Sequence, residues 1–151
     1  MLSPTYEPII STSVLLSIYN DLNDERALFN RGLKQFGINT EELHDFHGQI
    51  SLRLFVQIFE WLAQALGDPW LGLKISQRSG PDALGAVGYL FLSSGNLETA
   101  LQSLARYLDA IQNSSRIDIA YVDNLVQVRY RIIDETISPK RQDSEFSIGL
   151  I

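Results

Sequence analysis

LAQALGDPWLGLKISQRSGPDALGAVGYLFLSSGNLETALQSLARYLDAIQ, residues 62–112, decides the fold. Its punctuation, Gly67-Asp68-Pro69, Gly80-Pro81 and Ser93-Ser94-Gly95, divides it into three predicted helices. The last sets Leu97, Ala100, Leu101, Leu104, Ala105, Leu108 and Ile111 on one face with the 3.6-residue period of an amphipathic helix. Asn96 stands where an N-cap belongs, its side-chain oxygen free to take a backbone N–H of the first turn. The middle segment, Asp82 to Leu92, carries Gly85 and Gly88, each costing about 1 kcal/mol against Ala inside a helix. Close approach of another backbone is the usual compensation. Tyr89-Leu90-Phe91-Leu92 is apolar on every side, which places this helix at the centre. Val87 to Leu92 also suits a short strand, and periodicity does not separate the two.

Downstream the period becomes two. Ile117, Ile119 and Tyr121 alternate with Arg116, Asp118 and Ala120, Asp123-Asn124 turns the chain, and Val126, Val128, Tyr130 and Ile132 return. The apolar face of this hairpin needs cover, most simply from the Leu97 to Ile111 helix. Upstream, residues 1–12 hold Pro4 and Pro8 and read as a loose leader. Thr12 or Ser13 caps a first helix with Val14, Leu15, Ile18, Tyr19 and Leu22 inward. Asp24-Glu25 opens a second, ended by Gly37, and Asn39 or Thr40 caps a short third. Ser51 starts a longer helix with Phe55, Ile58, Phe59, Leu62 and Leu66 on its buried stripe, and Asp68-Pro69 starts the next. The fold class is therefore α+β, a mainly helical part on a small antiparallel sheet whose hairpin lies near 116–133. Two strands make a poor sheet alone. The segment from Arg141 looks helical and stops in apolar residues, so a continuation past Ile151 is expected.

With 151 residues, 45% of them hydrophobic and 20% charged, the chain suits one ordinary domain. No apolar run reaches the roughly 20 residues that span a bilayer, and no signal peptide is visible. The absence of cysteine rules out disulfides and agrees with a reducing interior, so the cytoplasm is the default. Twelve Lys and Arg against eighteen Asp and Glu give a formal charge of −6, and no window gathers basic residues. Such a surface repels phosphates, so this polypeptide should not grip DNA by itself.

A family resemblance is carried by LGDPWLGLKIS, by Leu84-Gly85-Ala86-Val87-Gly88-Tyr89-Leu90, by SSGNLETALQSLARYL and by Arg141-Gln142-Asp143-Ser144-Glu145-Phe146. In that order they resemble the N-terminal effector domain of AraC-type transcription regulators, in the arabinose-binding subgroup. The likeness runs from about Ser13 to Ile151. It implies that residues 13–151 are a sensing and dimerisation domain. It implies a small-molecule effector, a homodimer, and DNA contact only through a C-terminal helix-turn-helix domain absent from this chain. No cofactor is expected. Two rivals are a ligand-free oligomerisation module and a small metal-binding protein.

The residues themselves assemble no catalytic set. There is no Gly-x-Ser-x-Gly elbow, no phosphate loop and no convergent acid, base and nucleophile. His44 and His47 would share one face of a helix at i, i+3, but no third ligand is fixed, so no metal is assigned. Arg26 to Phe46 reads as two short helices about Gly37, yet the second would offer Glu41, Glu42 and Asp45 to a DNA groove. The aromatic and basic residues near the helix–sheet junction are the candidates for ligand binding: Trp70, Tyr89, Tyr107 and Tyr130, with Arg106 and Arg141. Pockets are apolar with a few placed polar groups, and Arg holds a carboxylate with two parallel hydrogen bonds. Arg141 and Glu145, at i and i+4, can instead pair along a helix and fix it against the sheet.

Overall fold

Helical periodicity sets the first half of the chain. In the computed structural model, which describes residues 6–45 and 47–151, α1 spans Thr12–Asp21, α2 spans Arg26–Gln35 and α3 spans Leu52–Ala65. The core is built around α3. Leu52, Phe55, Ile58, Phe59 and Leu62 are wholly buried, and Val14, Leu15, Ile18, Phe29 and Leu33 close on them. Each such side chain contributes about 1.5–3 kcal/mol on burial, so this stripe dominates the stability of the helical half. Ser51 caps α3 by accepting the Leu54 N–H at 3.4 Å, and Gly67, at φ +62°, ends its last turn.

The leader expected over residues 1–12 ends sooner. Ile9–Ser11 forms β1, antiparallel to β2 (Gln49–Ser51), with Ile10 opposite Ile50 and bridged on its other side to Gln112. Ile10 is fully buried, and Ser11, one residue before the expected caps, accepts the Ser13 N–H at 3.3 Å. A three-residue strand is too short to show a period of two. The first five residues of the leader, like Phe46, lie outside the described residues.

The second half runs α4 (Leu71–Arg78), α5 (Gly85–Leu92), α6 (Leu97–Tyr107), β3 (Ser115–Val122), β4 (Leu125–Ile132) and α7 (Arg141–Leu150). Asn96 caps α6 as expected, accepting the Thr99 N–H at 2.9 Å. Asp123 and Asn124 form the two-residue hairpin loop, Asp123 at φ +54°, with Ile117 opposite Tyr130 and Ile119 opposite Val128. Leu104 and Leu108 cover the inner end of the hairpin at Ile117. At the outer end Tyr121, Leu125 and Val126 stay exposed. The α+β class holds, although the described strands make two separate two-stranded sheets.

The expectation for 82–92 is corrected in one respect. The segment is helical, preceded by a 3-10 turn over Pro81–Leu84, but it lies on the outside: Tyr89 is 65% and Leu92 56% exposed. A helix apolar all round has no preferred face in its sequence, so the pattern gave no direction for it. Gly88 does meet a close backbone, since a Cβ there would overlap the carbonyl of Pro81. Gly85 serves differently, holding φ +60° where the 3-10 turn passes into α5.

Candidate functional site

A cavity lies where α6, the hairpin and α7 meet, with Ile10 and Val14 beneath it and Leu84 and Phe91 on the α5 side. The sequence places these walls simply. Leu104 lies on the buried face of α6 and Leu108 one turn on, at the start of the 3-10 turn Leu108–Ala110 that follows it. Ile117 and Tyr130 are cross-strand partners, and Asp143, Phe146 and Leu150 recur at i, i+3, i+7 on α7. The cavity volume is about 30 Å³, room for about one water.

One corner of this apolar space is polar. The Gln112 Nε2 donates to Ser115 Oγ at 2.6 Å and to the Tyr130 hydroxyl at 2.7 Å. The Tyr130 hydroxyl in turn donates to Asp143 Oδ2 at 2.8 Å. Ser147 lines the same corner. Asp143 is 2% exposed, and among the described residues no cation bonds to it. Burial pushes its carboxyl up to about 7, against the lowering bond from Tyr130, and the charge of Glu60 raises it further. Lys140 opposes only at a distance, its ammonium donating to the Ile132 carbonyl at 3.4 Å. Burial, and then the charge of Asp143, hold the Tyr130 phenol well above its ordinary value. The corner thus holds a carboxyl poised between its two forms near neutrality.

Of the six residues expected to bind a ligand, Tyr130 alone lines the cavity. Tyr89, Tyr107 and Arg106 are exposed on α5 and α6. Trp70 and Arg141 come together elsewhere, the guanidinium 4.4 Å from the indole centroid, and Arg141 Nε also donates to Glu145 at 2.6 Å. That ion pair lies within α7 and ties it to no other element; the helix itself packs chiefly along α4 and then α3 rather than against the sheet. The residue that docks α7 is Gln142, buried between them. Its Oε1 accepts the Gly72 N–H at 2.8 Å, its Nε2 donates to the Pro69 carbonyl at 3.1 Å, and its backbone N–H donates to Glu60 Oε1 at 2.8 Å. A signal for Asp143 was present in the sequence: an acid on the apolar stripe of α7, three residues before Phe146 and seven before Leu150.

The two histidines lack the shared helical face that a metal pair needs. His44 ends a 3-10 turn over Thr40–His44, and Asp45 is extended, at ψ 113°, before His47. No group of three metal-ligating side chains occurs among the described residues. The same 3-10 turn stands where a recognition helix would be required, so Arg26 to Phe46 lacks the second helix of a helix-turn-helix. Among the described residues no helix is long and apolar enough to cross a membrane.

Residues 29–151 match the arabinose-binding domain of AraC transcription regulator, N-terminal. Over 124 residues the chain is 31% identical to the ornithine utilization regulator of Pseudomonas aeruginosa. That stretch takes up 81% of this chain and 35% of the regulator, so the chain spans little more than a third of its relative.

Proposed function

The chain belongs to the family of arabinose-binding N-terminal domains of AraC transcription regulators, and on that premise we propose that it senses a small metabolite and relays its presence to a separate DNA-binding domain. The observation that carries this reading is the apolar cavity with a single polar corner at the junction of α6, the hairpin and α7. Ligand sites have that composition, a hydrophobic enclosure with few, well-placed polar groups. A metabolite acts here by binding one arrangement of α5, α6 and α7 better than another, and it shifts the balance by that difference alone. The formal charge of −6 leaves DNA contact to another domain. The regulator acts in the cytoplasm.

Dimerisation is the second half of the reading. Tyr121, Leu125 and Val126 at the hairpin tip are 59%, 70% and 54% exposed, and Leu97 beside them on α6 is also exposed. An apolar surface of that kind suits contact between two copies. A change at the cavity would reach it through β3 and β4, which are continuous from Tyr130 to the tip.

Thermal unfolding against a panel of amino acids, amines, fatty acids and sugars tests the sensing function. Ornithine comes first, because the relative's name concerns its utilisation. A ligand at a hundredfold its Kd adds about 2.7 kcal/mol, which raises Tm by about 5–10 °C in a domain of this size. A panel without effect on Tm would overturn the reading.

A further inference from the structure

The polar corner of the cavity points to the chemical class of the ligand, an inference that rests on the sensing function proposed above. Asp143 carries the one side-chain carboxyl that lines the cavity among the described residues, its Oδ2 takes the Tyr130 hydroxyl at 2.8 Å, and the remaining lining is almost wholly apolar. The titratable groups near it come from three directions. Glu60 on α3 repels it, Lys140 before α7 attracts it while donating to the Ile132 carbonyl, and Tyr130 on β4 donates to it. An ionised carboxylate buried without a bonded cation is costly, and a cation that reaches it removes much of that cost. A carboxylate ligand would meet the acid as a like charge. A sugar would leave most of its hydroxyls facing Leu104, Leu108, Ile117 and Phe146 without partners.

We propose that the cavity takes an aliphatic amine, with the ammonium paired to Asp143 and the hydrocarbon lying against Leu104, Leu108 and Phe91. The free oxygen of Asp143 accepts from the ammonium, and the Gln112–Tyr130 chain holds the carboxylate in place. Space comes from the α5 side. Leu84 and Phe91 form that wall, and α5 rests mainly on α6 and the Pro81–Leu84 turn, so it is the element that yields as the cavity of about 30 Å³ widens.

Calorimetric titration of the purified chain with n-butylamine, n-butanol and butyrate decides the matter. n-Butylamine is expected to saturate one site at least tenfold more tightly than n-butanol, with no binding of butyrate. Between pH 8 and pH 6 its affinity is expected to fall about tenfold, because a protonated Asp143 must lose its proton to pair with the ammonium. Asp143→Asn is expected to abolish the preference for amine over alcohol while n-butanol still binds. Should that variant fail to fold, the pH dependence of the unaltered protein decides alone. Equal affinity for n-butylamine and n-butanol, or an amine affinity indifferent to pH across this range, overturns the proposal. If butyrate or a sugar binds and amines do not, the amine class falls and the sensing function stands. If no compound of the wider panel binds, both fall.

Discussion

The Tyr130 hydroxyl donates to Asp143 Oδ2 at 2.8 Å, and this bond joins the return strand of the hairpin to α7 across the floor of the cavity. Removing it by Tyr130→Phe strips Asp143 of its donor and Gln112 of one acceptor. The expected loss is about 1–3 kcal/mol, the usual cost of leaving buried polar groups unpaired. Urea unfolding at pH 7 measures it, as a lower midpoint with an unchanged slope.

Stability without ligand should fall as pH rises from about 4 toward neutrality. Asp143 has a folded pKa of about 7, above the ordinary carboxyl value of 3.8, so between these values the native state holds a proton that the unfolded state has lost. Its contribution is greatest below pH 4 and is lost as pH rises toward 7, a span on the order of 4 kcal/mol. Urea midpoints should therefore decline from pH 5 to pH 7 and level off by pH 8, and Asp143→Asn, which cannot ionise, should flatten the decline.

Two substitutions separate the two uses of glycine around α5. Gly88→Ala gains about 1 kcal/mol of helix propensity but drives a methyl into the carbonyl of Pro81, and overpacking of that kind costs about 1–3 kcal/mol. Gly85→Ala meets no neighbouring atom and loses about 1–3 kcal/mol through its backbone alone, since φ +60° with ψ −136° is a conformation that falls almost wholly to glycine. Both should lower Tm. A pair in which Gly88→Ala raised it would show that α5 does not lean on the Pro81 carbonyl.

Gln142→Ala should uncouple α7 from α4. It leaves the Gly72 N–H and the Pro69 carbonyl without their partner and opens a void between the helices, for a loss of about 2–4 kcal/mol. Hydrogen exchange would locate the change, with α7 and the first turn of α4 losing protection before α3.

Leu125→Asp at the hairpin tip touches no core residue, so its effect on stability should stay within about 0.5 kcal/mol. Its effect on association should be large. Light scattering on the eluted protein should show a dimer that the substitution converts to monomer.

Much of this architecture was legible because the signals were local. The Asn96 cap, the Asp123-Asn124 turn, the buried stripe of α3 and the Gly37 and Gly67 helix ends each follow from a few neighbouring residues. What escaped was set over long distance. β1 is three residues held by partners some 40 and 100 positions away, and α5 offers no polar face to orient it. The cavity follows the same division. Tyr130 was visible as an inward position on an alternating strand, whereas Asp143 joins the cavity wall only when α7 folds back over Tyr130. The exposed Tyr89, Tyr107 and Arg106 shared sequence neighbourhood with the junction but not its inward face.

The short strand at Ile9–Ser11 also sets how little of this chain can be removed. Its backbone and the residues beside it bond to Ile111, Asn113, Gly48 and Leu52, so it clasps the end of the 3-10 turn after α6 to the start of α3. The match to the arabinose-binding domain begins at residue 29, inside α2, and omits both that clasp and α1. A fragment cut at that boundary would bare Phe55, Phe59 and the floor beneath Asp143 to water. The stretch that matches the family's domain is therefore smaller than the unit that folds, and engineered fusions or deletions should keep everything from Pro8 onward.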